Sequence, residues 1–125
     1  MRLSLGSAVA LLLVAGCGGG GSASPPAPTP GNPNQIVISS SGNVSPAELV
    51  VSPGSRVLFV NNDSRRHDMA SDPHPEHTTC PEINVGVLQP GQSRETTNLV
   101  AARTCGFHDH ENPGAAGLKG RIIIR

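Results

Sequence analysis

Short segments rich in β-branched residues, separated by turn signals, constrain the fold of this chain more than any other feature. They are QIVISSS, AELVVS, RVLFVNN, NVGVL, RETTNLV and KGRIIIR, all between Gln35 and Arg125. Alternating apolar and polar side chains are typical of half-buried strands, and no segment keeps the helical period of about 3.6 residues for more than one turn. The breaks SPGS, NNDS, QPGQS and NPGAAG are built from turn-forming residues. We therefore predict an all-β sandwich.

Two of the breaks have the same form. VSPGSRV contains Pro-Gly followed directly by Ser-Arg, and LQPGQSR contains Pro-Gly followed by Gln and then Ser-Arg. Proline fixes the backbone that the second position of a type II turn needs, and glycine suits the third position. Each stretch is predicted to turn one strand into the next.

The N-terminal stretch MRLSLGSAVALLLVAGC is typical of a bacterial export signal. It has one positive charge at Arg2, an apolar run over residues 8–15 and small residues before Cys17. The run is too short to span a bilayer. Its ending, VAGC, resembles the lipobox of bacterial lipoproteins, in which the cysteine is diacylated and becomes the new N-terminus. We expect residues 1–17 to be a lipoprotein signal peptide, with the lipidated Cys17 anchoring the protein in the cell envelope, facing the periplasm or the exterior.

A tether is predicted to follow the anchor. Residues 18–34, GGGGSASPPAPTPGNPN, contain no apolar side chain larger than those of Ala and Pro, so they cannot form a core. Such a composition predicts a flexible and then semi-extended linker. The folded domain is predicted to occupy residues 35–125.

The charge of the mature chain argues against a nucleic-acid partner. The whole chain has nine Lys and Arg and nine Asp and Glu, so loss of Arg2 with the signal leaves eight basic against nine acidic residues. There is no basic cluster, no Trp and no Tyr, whereas nucleic-acid binding calls for a basic patch. We predict no nucleic-acid partner.

The histidines are concentrated in two segments, residues 64–81 (SRRHDMASDPHPEHTTCP) and 103–110 (RTCGFHDH). They are His67, His74, His77, His108 and His110. The same segments contain Met69 and both of the cysteines that remain after Cys17. A polar stretch as long as the first is unusual in a compact domain unless it has a function. Imidazole with thiolate or thioether selects copper or zinc, so the pattern predicts a metal site.

The stretch NVSPAELVVSPGSRVLFVNNDSRRHDM resembles the first half of a cupredoxin, the family of plastocyanin and azurin. LQPGQS resembles the family's turn before its penultimate strand. CGFH and GLKGRIII resemble its Cys-x-x-His loop and closing strand. The resemblance implies a Greek-key β-sandwich of about seven strands with copper as cofactor.

The resemblance also implies a ligand set. A type 1 copper site would take His67, Cys105 and His108, with Leu118 at the position of the usual axial methionine. His110 and Met69 are further candidate ligands. With such a site the protein would be a membrane-tethered one-electron carrier that meets redox partner proteins in the envelope.

Cys80 leaves an alternative open, because simple blue copper proteins have no counterpart to it. Two cysteines in a small exported domain are by default a disulfide, which would take Cys105 away from the metal. The remaining His and Met side chains would then suit storage or delivery of copper to copper-handling proteins. His74 and His77 are predicted to be solvated in either case.

An enzyme is not predicted from this sequence. Cys105, His108 and Asp109 lie in one short stretch, whereas the nucleophile and base of a catalytic triad usually come from separate elements. A domain of this size also has little room for a substrate pocket.

Overall fold

The structure, a computed structural model, describes residues 32–125, which form two β-sheets. The predicted signal peptide, the lipidation site Cys17 and the tether up to residue 31 lie outside the described residues. Within residues 32–125, no helix has the length and apolarity needed to cross a bilayer.

The described residues form nine strands, where the sequence predicted about seven. They are β1 Gln35–Ile38, β2 Val44–Ser45, β3 Glu48–Val51, β4 Leu58–Asn61, β5 His67–Ser71, β6 Gly86–Leu88, β7 Ser93–Glu95, β8 Arg103–Asp109 and β9 Lys119–Ile124. Two short 3₁₀ helices, Pro81–Ile83 and Ala116–Leu118, lie in the connections.

Both sheets are mixed. The smaller has the order β2-β1-β4-β7, with β1 and β4 parallel. The larger has the order β3-β9-β8-β5-β6, with β3 and β9 parallel and the other neighbours antiparallel. The all-β sandwich predicted from the strand pattern is confirmed.

The core lies between the sheets and is built largely from aliphatic side chains around the chain's two phenylalanines. Phe59 on β4 and Phe107 on β8 are fully buried, and their rings meet edge to face with centroids 5.3 Å apart. Such an aromatic pair contributes about 0.5–1.5 kcal/mol beyond the area it buries. The contact joins the smaller sheet to the strand that carries part of the candidate site described below.

The two Pro-Gly turns have the predicted conformation. Gly54 and Gly91 have φ angles of +88° and +78°, in the left-handed region that the third position of a type II turn requires. In the second turn the N–H of Gln92 donates to the carbonyl of Gln89 at 2.9 Å, which closes the turn before β7.

Strand β5 was not predicted, because residues 64–81 were interpreted as one long polar loop. Its five residues place His67, Met69 and Ser71 on the buried face, so polar side chains occupy positions where a strand normally shows apolar ones. The loop proper is therefore shorter and covers residues 72–80. This loop and strand β8 build the candidate site.

Candidate metal centre

Strands β5 and β8 lie side by side in the larger sheet, and their pleat separates two sets of polar side chains. Successive residues of a strand point to opposite faces. Cys105 and Phe107 belong to the core, so Asp109 also points inward, while Gly106 and His108 point outward. His110 continues this alternation on the outer face, where its N–H donates to the carbonyl of Asp68.

The loop of residues 72–80 brings two more imidazoles over the outer face. One nitrogen from each of four histidines lies within 4.8 Å of the others; they are His74, His77, His108 and His110. The rings of His77 and His108 stack with centroids 5.0 Å apart. The loop covers His108 so well that only 2% of this outward residue is exposed, whereas His74 reaches solvent.

Hydrogen bonds outside the cluster fix the tautomers of two of its rings. The Nδ1–H of His77 donates to the carbonyl oxygen of Ser71 at 2.8 Å, and the Nδ1 of His108 lies 2.7 Å from the carboxylate of Asp72. A carbonyl or carboxylate oxygen only accepts, so each Nδ1 carries a proton, and in the neutral form of each ring the Nε2 keeps its lone pair. Partners of this kind are what metal-ligating histidines have in proteins.

The Nε2 of His108 is buried and, among the described residues, has no hydrogen-bond partner. Buried polar atoms are normally paired, and leaving one unpaired costs about 1–3 kcal/mol. This nitrogen lies among three other imidazoles, an arrangement that could hold a metal ion. The donor set is entirely nitrogen, which suits copper or zinc.

The rings of the cluster also interact with one another. The Nε2 of His77 lies 2.6 Å from the Nδ1 of His110, so the lone pair on His77 accepts the Nδ1–H bond of His110. Desolvation lowers the pKa of His74 below that of an ordinary imidazole; the other three imidazoles lower it further by charge repulsion, against the opposing effect of Glu76. A histidine that resists protonation keeps its lone pair available.

No protein-family model and no curated protein matches the chain. The structure is similar to that of a purple cupredoxin from Nitrosopumilus maritimus, at 20% identity over 73% of this chain and 98% of that chain, with a TM-score of 0.60. It is also similar to oxidised plastocyanin from Dryopteris crassirhizoma, at 19% identity over 73% and 99% of the two chains, with a TM-score of 0.57. An amicyanin mutant in its Cu(I) form matches at 18% identity over 73% and 80%, with a TM-score of 0.54.

This chain has the cupredoxin fold. The fold implied by the sequence resemblance is therefore confirmed, and it is reached with little sequence identity to the cupredoxins of known structure. The type 1 ligand set implied by the same resemblance is a separate matter, because it depends on the positions of three side chains.

Cys105 is not a thiolate in this cupredoxin-fold domain. Its Sγ is bonded to that of Cys80, so the alternative disulfide is the one that the structure contains. The spacing of Cys105 and His108 gives the physical reason why they do not share a metal. The stretch CGFH is part of strand β8 and not of a loop, and residues three apart in a strand point to opposite faces.

His67 is also not placed as a ligand, which corrects the second member of the predicted set. It lies on the inner face, fully buried, with its Nδ1 2.9 Å from Asp109 and its Nε2 3.0 Å from Asp63. Each ring nitrogen thus lies within hydrogen-bond distance of a buried carboxylate. Neither nitrogen is free, and the sheet separates the ring from the outer cluster.

The two carboxylates hold this inner network together. The hydrogen bond from His67 lowers the pKa of Asp63 to about 2, helped by Arg65 and opposed by burial. Burial raises the pKa of Asp109, but hydrogen bonds from Asn112, His67 and the backbone lower it by more, so the net shift is downward.

The remaining predicted residues divide between the two faces. Met69 is fully buried in the core, on the inner face, and Leu118 is also buried there, so neither belongs to the outer cluster. His108 and His110, spaced two apart in the strand direction, share the outer face and are brought together. His74 and His77, which the sequence predicted to be solvated, complete the cluster. The concentration of all five histidines in two segments was the signal that pointed to them.

Proposed function

We propose that this protein binds copper through the imidazoles of His74, His77, His108 and His110 and serves to hold and hand over the metal in the cell envelope. The observation that carries the proposal is the buried, unpartnered Nε2 of His108, which faces three other imidazoles. Copper, when bound, would supply a cation that satisfies this nitrogen.

The donor set favours copper in its oxidised state. Imidazole is a good ligand for copper and zinc, and a given nitrogen site binds Cu²⁺ more tightly than Zn²⁺. The soft ligands that favour Cu(I) are absent from the cluster among the described residues, because Cys105 is in the disulfide and Met69 is in the core. Copper also has the support of the fold, since a structurally similar amicyanin was determined in its Cu(I) form.

Metal handling suits the surroundings of the cluster. Two of its four histidines are on a surface loop, and His77 and His110 also line an open cleft of about 210 Å³. A metal at such a position is within reach of a partner protein. The acidic side chains of Asp68 on strand β5 and of Asp72 and Glu76 on the loop that follows it would favour the approach of a cation.

A second function, that of a one-electron carrier, is favoured by the likeness to plastocyanin and to a purple cupredoxin. A one-electron carrier would bind redox partner proteins of the envelope, whereas a protein that holds and delivers copper would bind copper-handling proteins. We propose the electron carrier second because a type 1 site takes a thiolate, and no thiolate is available from Cys105. In neither case is the protein proposed to be an enzyme.

The location remains part of the proposal. A lipid attached at Cys17 and a tether over residues 18–34 would keep the domain near a membrane surface while leaving the outer face of its larger sheet free to meet partners. Changing Cys17 to Ala is expected to release the protein from the membrane fraction. Unchanged membrane association of this variant would contradict the lipid anchor.

Titration of the metal-free protein with Cu²⁺ tests the function. We expect one copper per chain, with the weak visible colour of a nitrogen-ligated centre and nitrogen hyperfine structure in the EPR spectrum. A variant in which all four cluster histidines are Ala controls for adventitious binding elsewhere on the chain. An intense thiolate band would favour the electron carrier instead, and equal binding by the control variant would overturn the site.

A further inference from the structure

Asp72 lies at the start of the loop that carries two of the cluster histidines, and the backbone fixes it on both sides. Its N–H donates to the carbonyl of Gly106 at 3.0 Å, and its own carbonyl accepts the N–H of Thr79 at 3.0 Å. The second of these hydrogen bonds holds the two ends of the loop together at Asp72, and the first fixes Asp72 against strand β8. The carboxylate of Asp72 is held over the outer face of β8, where it accepts the hydrogen bond from His108.

Gly106 provides the space for this carboxylate. A Cβ at position 106 would collide with a carboxylate oxygen of Asp72 and would lie 3.1 Å from its Cγ. The backbone does not explain the glycine, because Gly106 is in the middle of strand β8 and is not one of the described glycines with positive φ. The residue between Cys105 and Phe107 therefore lacks a side chain because Asp72 occupies that position.

We propose that Asp72 and Gly106 are a positioning pair for His108 and that this pair sets the metal affinity of the cluster. The carboxylate keeps the proton on Nδ1 and turns Nε2 toward the other imidazoles, and Gly106 is the residue that admits the carboxylate. This inference rests on the proposed function, since it assigns a role at the same site. It does not depend on which protein receives the metal.

The tautomer of His108 in the metal-free protein is the first test, because it requires no metal. Above the pH range in which imidazoles titrate, ¹⁵N NMR of the ring is expected to show the proton on Nδ1. In Asp72→Ala the ring is expected to move toward the Nε2–H tautomer that free histidine prefers. An Nε2–H tautomer in the wild-type protein, or no change in the variant, would overturn the proposal.

The affinity for Cu²⁺ is the second test. Loss of a hydrogen-bond partner behind a metal-ligating histidine typically weakens metal binding about 10- to 100-fold, and this is the effect expected for Asp72→Ala. Asp72→Asn retains an oxygen that accepts the Nδ1–H bond, so it should recover part of the loss. Glu76→Gln is the matched control: it removes a negative charge from the same loop, and within the described residues Glu76 makes no hydrogen bond to a cluster histidine. If Glu76→Gln and Asp72→Ala weakened copper binding equally, Asp72 would act only through its negative charge, and the proposal would be wrong.

A double-variant cycle tests the role of Gly106 separately. Gly106→Ala is expected to destabilise the wild-type background or to displace Asp72 and shift the His108 tautomer, and to do neither in the Asp72→Ala background, where no carboxylate is in the way. Gly114→Ala, where a Cβ would meet nothing within 4 Å, is the control for added alanine. Equal effects of Gly106→Ala in both backgrounds would contradict the pairing.

The outcomes separate this inference from the proposed function. A wild-type Nδ1–H tautomer that depends on Asp72, in a protein that does not bind copper, would leave the positioning pair standing and remove the function. Copper bound by the four histidines with no dependence on Asp72 or Gly106 would keep the function and remove the positioning pair.

Discussion

Histidines lie on both the inner and the outer face of strands β5 and β8, yet their ring nitrogens are left in opposite states. On the inner face, both nitrogens of His67 are paired with buried carboxylates. On the outer face, a nitrogen of His108 is buried without a partner among residues 32–125, although it lies among three other imidazoles. Nitrogens that are paired within the protein stabilise the fold, whereas an unpaired nitrogen is available to a ligand. The pleat of the sheet, and not the residue type, therefore decides which histidine is structural.

Removing two histidines of the outer cluster should have the largest effect, a loss of copper affinity. A four-ligand structural zinc site binds its metal with roughly 10–16 kcal/mol, so loss of half of the ligands is expected to weaken metal binding by at least about three orders of magnitude. The double variant of His77→Ala and His108→Ala should show this in a Cu²⁺ titration while remaining folded by circular dichroism. Binding unchanged in the double variant would place the metal elsewhere.

Removing the inner histidine should instead affect the fold. His67→Ala leaves two buried carboxylates without their shared hydrogen-bond partner, and removing one partner from a buried charged group in this way costs about 3–5 kcal/mol of unfolding free energy. Urea unfolding measures the loss. Under conditions in which the variant is folded, its affinity for Cu²⁺ should match that of the wild type. A strong loss of copper affinity from folded His67→Ala would restore His67 as a ligand and break the distinction between the faces.

The disulfide connects the two faces, because Cys80 ends the loop that covers the outer cluster and Cys105 is on the strand beneath it. Removing it should therefore reduce the stability of the domain. The bridge closes a loop with a sequence separation of 25 residues. Chain entropy for a loop of about 25 residues predicts a loss of roughly 3.5 kcal/mol of unfolding free energy when both cysteines are changed to Ser. Thiol titration of the native protein should find no free thiol at these positions. A reactive thiol at Cys105 would contradict the account.

Lowering the pH should have a smaller effect, the loss of the stability that the carboxylate of Asp63 contributes. Because the pKa of Asp63 is lowered to about 2 in the folded state, this carboxyl contributes stability above its unfolded pKa, and that contribution disappears as the pH falls toward about 2. Asp63→Asn should be less stable than the wild type at neutral pH, with the two stabilities converging in acid. Glu95→Gln, at an exposed ion pair, is the control and should run parallel to the wild type. If the stability of Asp63→Asn instead ran parallel to that of the wild type over the pH range, the carboxylate of Asp63 would have no stabilising role in the inner network.

The sequence predicted the fold better than it predicted the site, and individual residues show why. Val37, Val60 and Ile122 lie in segments whose composition alone indicates strands, and Gly54 and Gly91 mark turns through a conformation that other residues avoid. Such signals are local. The same local patterns did not predict β5, where the buried side chain of His67 has a tertiary environment that replaces apolar contacts with hydrogen bonds.

The candidate site depends on facts that are not local. The sequence placed candidate metal ligands in two segments that the structure brings together, and it left the disulfide open as an alternative. It did not show that Cys105 and His108 lie within one strand, where a spacing of three residues separates them, or that His74 and His77 fold back over the sheet. Those facts follow from the pairing of β5 with β8 and from the path of the loop between residues 72 and 80.

X-ray absorption of the copper-loaded protein tests the central claim most directly, because the fine structure distinguishes nitrogen from sulfur next to the metal. We predict a first shell of light atoms only, with the outer scattering of several imidazoles, and no sulfur. The shell should lose imidazole scattering in His77→Ala. A sulfur ligand in the wild-type spectrum would mean that Cys105 or Met69 reaches the metal, and it would contradict the assignment of the outer four-histidine cluster as the copper site.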